Sequence, residues 1–234
     1  IYTSMTADKR KYGFRRAFTL RPHLLKGMLS ISGWTMVQSF ISVSIWFIFF
    51  LAIEHLGERP LAVTNIVRNI SALLIMVISA FATTAGALIS NQIGAGEQRC
   101  LFKTCGMTLK LTYAILIPLL IILCLFPESV LRAFTDSPSL IAASVNSVYV
   151  MASSTLIMAP SFILFNAVSG TGNTRAGFIM EMISLAVYTA VSYYGIIRLK
   201  PDVALCGCSE HGYGVTLSCL AWWYLKSGKW RGKK

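Results

Sequence analysis

The sequence predicts an all-α integral membrane protein, built as a six-helix transmembrane bundle. Of its 234 residues, 55% are hydrophobic and only 13% are charged, whereas soluble domains carry about 25% charged residues. The charges are also grouped. The run from Ser137 to Thr174 spans 38 residues without one charged side chain, and a bilayer core needs about 20 apolar helical residues. Lysine and arginine fall mainly in alternate connecting segments, as in a multi-pass protein.

The spans follow from the uncharged runs between short polar segments. These runs cover residues 27–53, 69–96, 111–127, 137–174, 182–197 and 211–225. The last two are the shortest, and they reach the length of a span only by including Glu181 or Glu210. The predicted helices are 27–53, 61–93, 107–125, 140–168, 176–197 and 203–225.

The two ends of the chain are polar and basic. Residues 1–26 lack an apolar core and begin with Ile1, so we expect a cytoplasmic linker rather than a signal peptide. Residues 226–234 are expected to form a basic cytoplasmic tail. The predicted organisation is therefore linker 1–26, transmembrane lobe 27–225 and tail 226–234.

The distribution of cations predicts the topology. Six spans place 16 lysines and arginines on one side and four on the other, with Arg68 inside a span. Cytoplasmic loops carry the excess of such residues, so both termini are expected on the cytoplasmic side. The expected location is the cell (inner) membrane of a bacterium. The net charge of +12 is thus explained by topology. The expected partner is the lipid bilayer and not nucleic acid.

Prolines mark helix ends and bends. Pro118 and Pro160 lie inside predicted spans, where a proline removes a backbone hydrogen bond and bends the helix. A bilayer tolerates this only where neighbouring groups satisfy the freed carbonyl. Such bends suit a protein that changes shape, although static packing kinks are an equal alternative.

Three ionisable residues inside the spans are candidates for function, because burying a charge in a membrane is costly. Arg68 and Glu210 each lie about eight residues from the outer face, roughly 12 Å deep, so they could form a pair. Asn65 and Asn69 share the helical face of Arg68. Glu181 lies nearer the cytoplasmic end, and we expect its carboxylate to reach the interface.

Uncharged polar residues also occur within the first and fourth spans. Most are expected to hold helices together by hydrogen bonds, with a minority lining a cavity. Together with the ionisable residues, the candidates for a substrate cavity are Gln38, Ser42, Asn65, Arg68, Asn69, Asn166, Glu181 and Glu210.

The sequence offers no catalytic or metal-binding set. Cys206, Cys208 and His211 form a C-x-C-x-x-H cluster, but it lacks a fourth ligand. We expect these residues to pack a helix end instead. No zinc-protease, nucleophile-elbow or phosphate-loop motif is present. The prediction is a protein that is not an enzyme and has no cofactor.

Two glycine-rich turns carry a family resemblance. Segment 89–97 (ISNQIGAGE) closes a long predicted helix, and segment 170–175 (GTGNTR) follows the fourth. Together they resemble the multidrug and toxic compound extrusion (MATE) family, and the similarity extends over nearly the whole predicted bundle. Members of that family have twelve helices in two six-helix lobes, and this chain resembles the second lobe.

The resemblance implies a function and the partners it requires. It implies the C-terminal lobe of an antiporter coupled to H⁺ or Na⁺, which exports amphipathic, often cationic, small organic compounds. It also implies a missing N-terminal six-helix lobe. Some members bind the coupling cation through a Glu in the seventh helix and an Asp in the tenth. The corresponding residues here are Ser42 and Met158, so that coupling carboxylate is expected in the absent lobe.

Three alternatives to this function stay open. They are an exporter or flippase of lipid-linked saccharides, a membrane enzyme, and a membrane fragment that does not transport. The flippase would require more cations in the cavity than Arg68, and the enzyme would require a nucleophile or metal set.

Overall fold

The fold is helical throughout the part of the chain that the computed structural model describes, residues 22–54, 57–198, 203–228 and 230. This confirms the predicted all-α class, and six long helices lie where the spans were predicted. The elements are α1 (Pro22–Glu54), α2 (Glu58–Gly94), a 3₁₀ turn (Gln98–Cys100), α3 (Leu101–Leu125), α4 (Pro127–Arg132), α5 (Pro138–Gly170), α6 (Thr174–Arg198) and α7 (Val203–Ser227).

The short helix α4 was not predicted. It has proline at its first position and Glu128 in its first turn, both of which favour the start of a helix. It joins the ends of α3 and α5, and its Leu131 is fully buried. A six-residue helix of this kind is too short to leave a periodic signal in the sequence.

The chain forms a multi-pass membrane protein. Among the described residues, five helices are long and apolar enough to cross a membrane, namely α1, α2, α3, α5 and α6. Helix α7 is 25 residues long, as is α3, but its first half carries Ser209, Glu210 and His211. Those polar residues lower its apolar character, so the sixth span stays a prediction, as does the cytoplasmic location of both termini.

Helix α5 lies at the centre of the bundle, packed against α2 on one side and α7 on the other. Two glycines allow α2 and α5 to cross closely. A Cβ added at Gly170 would lie 2.6 Å from the carbonyl oxygen of Gly86, and one at Gly86 would lie 2.9 Å from that of Asn166. Small residues at such crossings let membrane helices pack backbone against backbone.

The carbonyl that Pro160 leaves without a backbone donor inside α5 is satisfied by a neighbouring group, as predicted. Pro160 cannot donate to the carbonyl of Leu156, because proline has no N–H. The Tyr113 hydroxyl on α3 donates to that carbonyl at 2.8 Å. A side chain from a neighbouring helix therefore replaces the lost backbone bond.

The two glycine-rich turns lie where the sequence placed them. Gly96 has φ 81° after α2, and Gly172 has φ 79° between α5 and α6, a backbone region that favours glycine. Asn173 fixes the second turn, since its Nδ2 donates to the Tyr224 hydroxyl at 2.6 Å. The turn is thereby tied to α7.

The chain ends differ slightly from the predicted boundaries. Helix α1 begins at Pro22, so residues 22–26 of the predicted linker belong to the first helix, while residues 1–21 lie outside the described residues. Helix α7 continues to Ser227. Trp230 then packs back onto it, 5% exposed, and its Nε1 donates to the Leu225 carbonyl at 2.9 Å. The predicted tail therefore begins with a buried anchor.

Candidate functional site

A cavity of about 410 Å³ lies between α1, α2, α5, α6 and α7. A volume of this size is typical of sites for small organic molecules, which are mostly apolar with a few polar groups. We call it the main cavity. Its lining residues are Val43, Trp46, Phe47, Phe49, Phe50, Ile53, Thr64, Val67, Arg68, Ser71, Ala72, Ile75, Ser147, Met151, Tyr188 and Glu210.

Aromatic rings form one wall of the main cavity. Trp46 and Phe49 of α1 contact Tyr188 of α6, with ring centroids 5.7 and 5.8 Å apart. Trp46 and Phe49 also meet edge to face at 6.2 Å. These rings offer π faces to a flat or cationic guest. The wall arises because residues 46, 49, 50 and 53 recur at helical spacing along α1.

The main cavity contains one residue of each charge. The Arg68 guanidinium lies 4.7 Å over the centre of the Phe50 ring, and Arg68 is exposed. Glu210 is half-buried, and it accepts a hydrogen bond from the Ser154 hydroxyl at 2.8 Å. The buried end of the cavity is therefore the end that holds the carboxylate.

The predicted pairing of Arg68 with Glu210 is not seen in this structure. Both residues line the main cavity, but the described residues contain no ion pair between them, and each has the separate partner given above. The sequence placed both at a similar depth, and both line the same cavity. It could not show that a cavity separates them.

A second cavity of about 240 Å³, the inner cavity, lies next to the first. The two share Trp46, Ile75, Tyr188 and Glu210, so Glu210 and Tyr188 stand at the boundary between them. The inner cavity is lined by Trp46, Ile75, Met158, Phe162, Leu185, Tyr188, Glu210 and Tyr213.

Glu181 is buried within the bundle, so the expectation that it reaches the interface is wrong. The side chain is 7% exposed. The Tyr213 hydroxyl of α7 donates to its two carboxylate oxygens at 2.9 and 3.0 Å, and the Ser42 hydroxyl of α1 donates at 3.2 Å. Helix α6 presents residue 181 to both neighbouring helices, which keeps the carboxylate away from lipid.

Two glycines bring Tyr213 into position. A Cβ at Gly212 would lie 3.6 Å from Val187 of α6, and one at Gly214 would lie 3.1 Å from Ile157 of α5. Helix α7 therefore packs tightly against α5 at Gly214 and is in ordinary contact with α6 at Gly212, on the two sides of Tyr213. The Tyr213 ring also meets Tyr188 edge to face at 6.5 Å, so a ring contact joins the Glu181 site to the boundary of the two cavities.

His211 contacts α5 rather than a metal cluster. Its Nε2 lies 2.9 Å from the Ser153 hydroxyl, while its buried Nδ1 has no hydrogen-bond partner. The side chains of Cys206 and Cys208 lie outside the described residues. Among the side chains that the structure describes, no group of three metal-ligating residues forms.

The remaining predicted residues lie apart from both cavities. Neither cavity includes Gln38, Asn65, Asn69 or Asn166. Asn166 instead donates to the Phe162 carbonyl of its own helix at 2.9 Å. The structure thus brings together only Arg68 and Glu210 at the main cavity, and Ser42 and Glu181 beside the inner one.

Sequence reasoning missed the aromatic members of the site. Trp46, Tyr188 and Tyr213 were not among the predicted residues, because aromatic side chains in apolar helices usually pack the core. One signal could have found Tyr213. It lies three residues after Glu210, next to two glycines, and a polar ring tip at such a crossing requires a hydrogen-bond partner.

The two positions where the resemblance placed coupling acids have other roles here. Ser42 donates to Glu181, so a carboxylate from α6 lies beside this position of α1. Met158 lines the inner cavity. Among the described residues, the carboxylates that are not exposed are Glu181 and Glu210, and they come from α6 and α7.

Comparison with known proteins identifies similar sequences and folds. The family described as MatE matches residues 35–194. None of the curated proteins matches the sequence significantly. Among solved structures, the MATE transporter VcmN of Vibrio cholerae in its bent form superposes with a TM-score of 0.79 at 16% identity, over 89% of this chain and 48% of that one.

Two further structures show the same fold. One is an outward-facing multidrug resistance MATE family transporter of the MOP superfamily, with a TM-score of 0.77 at 14% identity, covering 87% of this chain and 46% of that one. The other is a MOP superfamily transporter from Pyrococcus furiosus, with a TM-score of 0.76 at 14% identity, covering 85% and 44%. The chain spans about half the length of these proteins.

Proposed function

Since the chain belongs to the MatE family, we propose that it forms the second six-helix half of a coupled antiporter that exports amphipathic organic cations. Members of this family are transporters and not enzymes. Transporters with two such halves move substrate by rocking one half against the other around a site near the midplane. The first half is then a required partner, supplied by the remainder of the full-length protein.

The main cavity is the observation that carries this proposal. It combines an aromatic wall with one half-buried carboxylate, Glu210, at its inner end. An aromatic face attracts a cation, by about 2 kcal/mol when the contact is desolvated. A carboxylate at the buried end adds a charge preference that a neutral or anionic guest does not satisfy.

A flippase of lipid-linked saccharides is less well supported by the same cavity. A diphosphate is usually held by several arginines or lysines, and Arg68 is the one cation among the lining residues. That cation is engaged by the Phe50 ring. The charged group at the buried end is the Glu210 carboxylate, which would repel a diphosphate.

Residues 1–234 expressed alone are not expected to transport substrate. The main cavity would then lack its second wall, and Arg68 would face lipid or water without its opposite half. The function proposed here is therefore that of the two halves together.

The proposal is tested by a pair of ions that differ in charge but hardly in shape. Tetraphenylphosphonium and tetraphenylborate are added to the detergent-solubilised full-length protein, and binding is measured by calorimetry. We expect the cation to bind more tightly than the anion. Glu210→Gln should weaken cation binding about tenfold, equivalent to about 1.4 kcal/mol, because the carboxylate charge is removed while its shape is kept.

Glu97→Gln is the matched control, since Glu97 is exposed in the turn after α2 and lies in neither cavity. It should bind the cation like the unmodified protein. Equal binding of the two ions, or an unchanged affinity in Glu210→Gln, would contradict the proposal.

A further inference from the structure

The site around Glu181 is built differently from the main cavity. Glu181 is 7% exposed and lines neither cavity, so an organic molecule in either cavity does not reach its carboxylate. Two hydroxyls from two other helices donate to it. Among the described residues, no lysine, arginine or histidine lies within ion-pair distance of it.

A buried carboxylate without a cation is costly when charged, even with two hydrogen bonds. Hydroxyl donors lower that cost but do not remove the charge. Both hydroxyls donate to the carboxylate, so their oxygen lone pairs are not ligands for a cation there, whereas a proton requires only a free lone pair on one carboxylate oxygen. A metal cation would require their oxygen lone pairs to turn inward.

We propose that Glu181, held by Ser42 and Tyr213, is the proton-exchange site of this lobe. The proposal deepens the proposed function, on which it rests. In the exchange, one carboxylate oxygen of Glu181 gains a proton, and Tyr213 keeps its own. The Tyr213 hydroxyl, which donates to both oxygens at 2.9 and 3.0 Å, is then left with one acceptor.

The same tyrosine connects this site to the substrate. Tyr213 lines the inner cavity, and Glu210 lies three residues before it on α7, which puts both on neighbouring positions of one helix. A change in the bond between Tyr213 and Glu181 therefore displaces the part of α7 that carries Glu210. Proton uptake and release of an organic cation are coupled through that helix.

The titratable neighbours of Glu181 are few. Tyr213 and Glu210 face it or the adjoining cavity from α7, and Tyr188 does so from α6. The described titratable groups of α1, His23, Lys26 and Glu54, lie near its two ends. Helix α5 contributes Tyr149 and α7 also carries His211, which is bound to Ser153. Glu181 is thus the enclosed carboxyl of the group, and Glu210 is the one open to substrate.

The experiment uses the full-length protein in proteoliposomes with radiolabelled tetraphenylphosphonium. Two rates are measured for each variant. Uptake driven by an imposed pH gradient requires proton exchange, whereas exchange of labelled for unlabelled substrate without a gradient does not. In Glu181→Gln, the rate of proton-driven uptake should fall at least about tenfold, which is within the usual range of coupling effects. The rate of substrate exchange should stay unchanged.

Tyr213→Phe serves as a second variant in case Glu181→Gln does not fold. It removes the hydroxyl but keeps the ring contact with Tyr188, and it should lower the proton-driven rate more than the exchange rate. Glu97→Gln, the exposed carboxylate control, should change neither. Thermal unfolding of each variant confirms that the protein is intact.

Each result has a distinct meaning. Proton-driven uptake by Glu181→Gln at the unmodified rate would overturn the proposal, as would uptake that follows a Na⁺ gradient and ignores the pH gradient. Loss of both rates in a folded Glu181→Gln protein would also overturn it, since the residue would then serve substrate binding. Absence of tetraphenylphosphonium exchange in the unmodified protein would instead refute the proposed function.

Discussion

The crossing of α2 and α5 can be tested by adding one methyl group at Gly86. Its Cβ would lie 2.9 Å from the Asn166 carbonyl oxygen, 0.5 Å short of an ordinary contact, which begins at 3.4 Å. Both partners are backbone, so the helices have to separate. Overpacking of this kind costs about 1–3 kcal/mol. Alanine is more stable than glycine within a helix by about 0.5–1 kcal/mol, and this gain offsets part of the cost.

Gly106→Ala isolates the packing term. Gly106 lies inside α3, and an added Cβ meets nothing within 4 Å. It gains the same helical preference without the clash, so Gly86→Ala should be less stable than Gly106→Ala by about 1–3 kcal/mol. A kcal/mol corresponds to about 2–4 °C in Tm for a domain of this size.

The assay is thermal unfolding in detergent with a fluorogenic thiol dye. The rise in signal on unfolding reports the buried thiol of Cys105, which is 5% exposed in the fold, above the constant signal of the exposed Cys219. A Gly86→Ala protein with a Tm equal to or above that of Gly106→Ala would refute the close crossing. The crossing supports the cavity wall, because Arg68 and Ser71 of α2 and Met151 of α5 all line the main cavity.

Three further predictions follow from the same contacts. The thermal stability losses of Arg68→Ala and Glu210→Ala should add within about 0.5 kcal/mol in the double mutant, because the two have separate partners; a larger coupling in that thermal-unfolding cycle would restore the direct pair. Tyr113→Phe should lower the free energy of unfolding by about 0.5–1.5 kcal/mol, since the Leu156 carbonyl then loses the hydroxyl that donates to it, and an unchanged Tm would contradict this. Cysteines placed at Asp136 and Lys234 should be labelled from opposite sides of the membrane, and labelling from one side only would exclude an even number of spans with both ends in the cytoplasm.

The sequence was sufficient for the fold because membrane helices obey a strong length and polarity rule. The uncharged runs located all six long helices, and the glycine turns at 94–97 and 170–175 marked their ends. The helix ends were drawn a few residues short, since polar residues continue a helix past the apolar core. Helix α4 was missed because six residues carry no periodicity.

The site was harder to predict, because it depends on which helix faces which. Arg68 and Glu210 were found through the cost of burying charge. Glu181 was placed at the interface because sequence gives its depth but not the direction of its side chain. The bond from Tyr213 that encloses it depends on the packing of α6 against α7. The amino-acid sequence alone does not specify that contact.

The central claim is that the main cavity holds an organic cation, and a crystal structure with tetraphenylarsonium tests it most directly. Arsenic gives an anomalous signal that locates the cation without reference to the protein. We expect one arsenic peak in the main cavity of the full-length protein, with phenyl groups against Trp46 and Tyr188 and a weaker peak in Glu210→Gln crystals. An arsenic peak only on the lipid-facing surface, or a peak in the cavity that Glu210→Gln leaves unchanged, would contradict the claim.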